Sequence, residues 1–187
     1  LPIVLPLVAG ALVLLIDERR HALKAAIAIA ATVALVVIAI ALVTIADTRV
    51  GATGVAKVTT YLLGNWPAPF GIVLVLDRLS ALMLVLTSIL GLAALIFSVA
   101  RWDRAGPHFH TLFQFLLMGL AGAFLTGDLF NLFVFFEVTL AASYALMLHG
   151  SGQLRVRAGL HYIVINLAAS TFFLIGVSLI YGVTGTL

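Results

Sequence analysis

The chain has 187 residues, of which 64% are hydrophobic and 9% charged, and its mean hydropathy is +1.26. So few charges cannot clothe a soluble domain, and apolar runs near ~20 residues identify an integral membrane protein. The net charge of +3 is scattered over short loops, which excludes nucleic acid as a partner, and the lack of cysteine excludes disulfide and thiolate chemistry.

Six helices are predicted, giving an all-α polytopic membrane protein. The first, over residues 3–16, stops at Asp17-Glu-Arg-Arg20. It is short for a span, and the chain opens on Leu1-Pro2 rather than Met, so a trimmed N-terminus is expected. The second covers 22–46 and is nearly all Ala, Ile and Val apart from Lys24. A polar segment, 47–70, follows as an external loop. Gly51, Gly54, Gly64, Pro67 and Pro69 are its turn signals, and Tyr61, Trp66 and Phe70 suit a membrane interface.

The third helix is expected over 72–100, with Asp77 and Arg78 one turn inside its outer end, each turned to another element or to water. His108 and His110 fall with Arg101 and Arg104 in the next loop. The fourth helix covers 109–126, where Gly119 and Gly122 allow close helix contact. The fifth covers 128–148, with Asp128 at the N-cap after Thr126-Gly127. His149 is read as a solvated helix end. The sixth covers 154–183.

Arg19, Arg20, Lys24, Arg101, Arg104, Arg155 and Arg157 crowd the first, third and fifth loops, against Arg49, Lys57 and Arg78 on the other side. The positive-inside rule therefore makes the odd loops cytoplasmic and the N-terminus external.

One residue stands out chemically. Glu137 lies roughly 13 Å along the fifth helix from Asp128, at ~1.5 Å per residue, close to the midplane of a ~30 Å hydrocarbon core. A carboxylate at that depth is costly unless neutralised, paired or hydrated, and marks a site of proton or ion handling. Antiparallel counting puts Asn166 of the sixth helix level with Glu137, with Ser170 on the same face, and His161 at the depth of Tyr144. Tyr144, His161 and Asn166 are thus relay candidates, although packing and interhelical hydrogen bonds explain them as readily. Asp128, with Asn131, is either a helix cap or an acidic mouth attracting cations. No set of metal ligands, phosphate loop or nucleophile elbow occurs, so neither metal nor cofactor is expected. The phenylalanines at 130, 133, 135 and 136 are a helix surface.

The run Gly127-Asp-Leu-Phe-Asn-Leu-Phe-Val-Phe-Phe-Glu137, continuing through Ala142-Ser-Tyr144, resembles the fifth helix of antiporter-like proteins. These comprise Mrp-type multisubunit cation/proton antiporter subunits, the D subunits in particular, and the proton-pumping subunits of respiratory complex I. Tyr61–Trp66, Val75–Met83 and His161–Leu167 carry the resemblance further. It implies a fold of about fourteen helices with two inverted five-helix repeats around a midplane ion path. On that pattern, 1–107 holds three peripheral helices and the external loop, and 108–187 the first three helices of one repeat. The resemblance also implies that Glu137 pairs with a lysine on a broken seventh helix, whereas the last lysine here is Lys57. The chain therefore reads as the truncated N-terminal part of a transporter subunit, not an enzyme, and alone it should not transport. The implied setting is the cell membrane, with other antiporter subunits, lipid, H⁺ and Na⁺ or K⁺ as partners. A redox-driven membrane arm and a purely structural subunit are the alternatives.

Overall fold

A computed structural model of the chain describes residues 1–48, 58–66, 71–150 and 152–186. Arg49, Gly51, Gly54, Lys57, Pro67, Pro69 and Phe70 lie outside the described residues. Six α-helices follow one another: α1 (Val4–Leu14), α2 (His21–Thr48), α3 (Arg78–Val99), α4 (Phe109–Leu125), α5 (Leu129–Met147) and α6 (Gln153–Thr184). By length and composition α2, α3, α5 and α6 are able to cross a membrane, while α1 and α4 are shorter apolar helices.

The region before α3 departs from the sequence expectation. Val73–Leu76 is a strand, β2, paired antiparallel with β1 (Thr59–Leu62) so that Thr59 faces Leu76. The all-α class thus carries one small hairpin. The backbone N–H of Gly127 donates to Val73 O at 2.8 Å, and Leu74 bridges to Thr126, so the hairpin is fastened to the α4–α5 turn. A Cβ on Gly127 would run into the Val75 side chain, which is why the turn needs glycine. α3 starts only at Arg78 because Asp77 caps it. The Asp77 carboxylate accepts from Ser80 N–H at 2.6 Å, and Ser80 Oγ accepts from Asp77 N–H at 3.0 Å. The Ser80 N–H bond holds the Asp77 carboxyl below the usual carboxylate range. Arg78 pairs with Asp47 at 2.9 Å across the ends of α2 and α3.

Alternation of direction gathers the odd loops at one end. Glu18, before α2, meets Lys24 Nζ at 2.7 Å and His108 Nδ1 at 3.0 Å. The Lys24 hydrogen bond keeps the Glu18 carboxyl below its ordinary range. Trp102 lies in the short turn Trp102–Arg104. Its carbonyl oxygen is 3.0 Å from His149 Nε2, and the Arg155 guanidinium sits 4.7 Å above its ring. Arg155 also donates to His149 O. His149 is therefore buried at 5% exposure, not solvated. The hydrogen bond satisfies its ring nitrogen and the Phe109 and Trp102 rings enclose it. His110 likewise sits inside α4 at 4% exposure rather than in a loop.

α4 is the centre of the bundle. Its Phe109, Phe113 and Leu117 join Ala28, Leu35 and Leu95 in one core cluster, and Ala121 and Leu125 join Ala39 and Leu84 in another. A Cβ at Gly122 would strike the Phe135 ring, and one at Gly119 would meet Thr139, so these glycines let α4 and α5 approach closely. α6 leans mainly on α5, burying only Gly159 and Val177.

Candidate functional site

α5 begins where Asp128 caps it: the Asp128 carboxylate accepts from Asn131 N–H at 2.8 Å. Asn131 is buried and donates through Nδ2 to Thr126 Oγ1 at 2.8 Å. Asp128 thus serves as the N-cap of α5, the first of the two roles its position suggests. From this fixed start, Glu137 comes about 13 Å along the helix at ~1.5 Å per residue. It lies at the middle of the span and is half-buried on the side facing α6.

There it meets Ser170, whose hydroxyl donates to Glu137 Oε1. A serine hydroxyl both donates and accepts, so it satisfies an ionised carboxylate and can equally accept from a protonated one. The contact solvates Glu137 without fixing its protonation state. Phenylalanines lie around it: Phe133 stacks on Phe173, and Phe136 meets the same ring edge-on at 6.0 Å. These rings hold α5 and α6 together near the carboxylate and keep its surroundings apolar.

The other sequence candidates separate. Asn166 donates to Tyr162 O of its own helix at 2.8 Å, so Ser170, one turn further, is the residue level with Glu137. His161 is exposed, and its Nδ1 lies 2.8 Å from Arg157 O, again within α6. Tyr144 packs edge-on against Tyr162 at 5.6 Å, two helical turns from Glu137 on the same face. Among the described residues none of Tyr144, His161 and Asn166 hydrogen-bonds to Glu137, whereas Ser170 does. Depth counting points to the right stretch of α6 but misses by one turn, because the tilt between the helices is not written in the sequence. No group of three or more His, Cys, Asp or Glu able to hold a metal occurs among the described residues.

Residues 126–187, the segment containing Glu137 and Ser170, match the NADH:quinone oxidoreductase/Mrp antiporter transmembrane family. The D subunit of a probable K(+)/H(+) antiporter of Rhizobium meliloti (strain 1021) is 64% identical over all of this chain and 34% of that protein. The D subunit of a Na(+)/H(+) antiporter of Alkalihalophilus pseudofirmus is 43% identical over all of this chain and 37% of that protein. Among solved structures, the Mrp complex from Dietzia sp. DQ12-45-1b contains a chain 40% identical to this one, with a TM-score of 0.83 over 98% of this chain and 33% of its own. Over its whole length the chain is thus similar to D subunits of Mrp-type antiporters. A chain of the archaeal membrane-bound sulfane sulfur reductase is 31% identical, with a TM-score of 0.88 over 98% of this chain and 37% of its own. This antiporter-like chain thus spans about a third of the length of the curated antiporter relatives it matches. Its several apolar helices fit a multi-pass membrane protein, and they superpose on about a third of a larger antiporter-like fold.

Proposed function

We propose that this chain is the N-terminal part of a proton-translocating subunit in a multisubunit monovalent cation/proton antiporter of the cell membrane. Residues 1–107 supply three peripheral helices with their external loop, and 108–187 the first three helices of an antiporter repeat. The odd loops face the cytoplasm, as their arginines favour. Glu137 is the proton-transfer carboxylate, and Ser170 solvates it in both protonation states. Tyr144, His161 and Asn166 are packing and capping groups around that path rather than links in it. The partner cation for Glu137 comes from the chain that continues beyond these helices or from another subunit. Exchange of H⁺ against Na⁺ or K⁺ is coupled through that pairing, with no chemical step on a substrate.

The observation that carries this reading is a lone mid-span carboxylate turned toward α6 and bonded to a hydroxyl. Glu137 caps no helix end and ties down no loop, so its position makes sense as a proton holder in a water-poor region. The test is Glu137→Ala in the complete subunit within its complex, with cation-driven proton movement measured in vesicles. Loss of exchange with normal assembly is expected. Wild-type exchange would refute the reading. If Glu137→Gln lowers assembly yield but leaves exchange per assembled complex intact, Glu137 is a buried polar lock instead.

The likeness to a sulfane sulfur reductase chain favours a second reading, in which the same helices serve a redox-driven membrane arm. Flavin or iron–sulfur absorption in the purified assembly would select it.

A further inference from the structure

A second set of ionisable side chains lies away from Glu137, inside the bundle of α1–α4. Lys24 is 3% exposed and His110 4%, and Asp103 is buried at 5%. His110 Nε2 stands 3.4 Å from Asp103 Oδ2, near enough for charge attraction but too poorly directed for a hydrogen bond. Both ring nitrogens of His110, Asp103 Oδ1, Thr111 Oγ1 and Gln114 Oε1 are buried with no hydrogen-bond partner among the described residues. Orphaned polar atoms at this density are the signature of ordered internal water, because leaving them bare costs far more than hydrating them.

The set has a wet end and a closed end. Glu18 and His108 are about half exposed, and His108 lines an open cleft of ≈ 380 Å³ shared with Gly106, Pro107 and His149. Glu18 passes contact on to buried Lys24. At the closed end Gln114, fully buried, donates to Ala28 O and to Thr32 Oγ1, both at 3.0 Å. Beyond it α4 and α2 continue largely apolar.

We infer that His110 and Asp103 form a buried proton-binding site, hydrated by water held at Thr111 and Gln114 and reached from the odd-loop surface past Glu18, His108 and Lys24. Its ligand is a proton with its water, not a metal cation, since Lys24 places a positive charge beside it. With Lys24 paired to Glu18, the His110–Asp103 pair is neutral overall when the imidazole is charged and carries one negative charge when it is not. Uptake of one proton therefore changes the buried charge by one, beside the packed centre of α4. The groups facing His110 are Asp103 from the turn after α3, and Lys24 and His21 from α2. His149 lies behind the shared Phe109 ring. α1 brings no ionisable side chain, α3 only Arg78 at its far end, and α5 Glu137 and Tyr144.

The test does not rely on transport. In the complete subunit within its complex, hydrogen–deuterium exchange at the imidazole carbon, read by mass spectrometry residue by residue, follows His110 across about pH 5 to 8, where histidine changes charge. A sigmoidal profile is expected at His110. Asp103→Asn should move its midpoint by about half a pH unit or more, roughly threefold in proton affinity, while the profile of His161 stays put. Lys24→Gln serves as the second perturbation if Asp103→Asn fails to assemble. A flat His110 profile, or a midpoint unmoved by both substitutions, would overturn the inference.

Discussion

The α1–α4 bundle and the α5–α6 pair handle polar groups in opposite ways. In the bundle, Lys24, Asp103, His110 and Gln114 are enclosed by α2, α4 and the turn between α3 and α4. In the pair, Glu137 is half-buried at a contact between two helices, and α6 leaves Val164, Ile165, Leu167, Phe172 and Leu179 exposed. One region encloses its polar groups. The other presents a carboxylate and an apolar wall that lipid or further helices must cover. The difference teaches that burial alone does not identify a working group. A buried polar cluster can anchor helices and hold water as well as take up a proton, whereas a carboxylate beside a serine hydroxyl has a partner that accommodates either of its charge states.

Several substitutions would break or sharpen this contrast. The largest effect is expected at the α4–α5 contact that joins the two regions. Gly122→Leu drives a side chain into Phe135, and overpacking of this kind costs about 1–3 kcal/mol or more. Loss of assembled complex on size-exclusion chromatography is the readout, and undiminished yield would show that the two regions are not tightly packed. Next, Gln114→Leu removes two buried hydrogen bonds, at about 1–3 kcal/mol. It should lower the thermal midpoint of the complex while leaving the exchange proposed to depend on Glu137 unchanged per complex. An equal loss of exchange would tie the regions together functionally.

A smaller effect is expected at the odd-loop end. Arg155→Ala removes the guanidinium from the Trp102 ring and from His149 O, at roughly 0.5–2 kcal/mol. Limited proteolysis between α5 and α6 should become faster, and unchanged cleavage would leave the stack without a role in holding that turn. The smallest is a pH effect at Asp77. Its folded pKa is depressed, so its cap stabilises above the unfolded value of about 3.9 and the contribution is lost as pH falls through the lower folded value. Asp77→Ala should therefore lower the thermal midpoint at neutral pH and flatten its acid dependence below about pH 4. An unchanged acid slope would show that the cap does not contribute to acid stability.

Much of α5 is legible in the sequence because its signals are local. Asp128 follows Thr126-Gly127 and caps a run of apolar residues interrupted by one acid, so both the start of the helix and its singular residue can be read directly. The hairpin is not legible, because Val73–Leu76 is as apolar as the helix that follows it. The one available cue is Asp77 with Ser80 three residues on, a capping signature that marks Arg78 and not Ile72 as the helix start. His110 and His149 escape sequence reasoning for a different reason. Histidine is equally at home in a loop or a core, and only the packing of Asp103, Trp102 and Phe109 decides. Ser170 lies on the expected face of α6, yet the more polar Asn166, one turn away, carries the stronger signal.

Infrared difference spectroscopy of the assembled complex in lipid across neutral pH, comparing wild type with Glu137→Gln, tests the proposed proton-holding role of Glu137 most directly. The expected result is a protonated-carboxyl band that grows as pH falls and vanishes in the variant. A carboxyl signal that is the same in both proteins, or no titrating carboxyl in either, would contradict it.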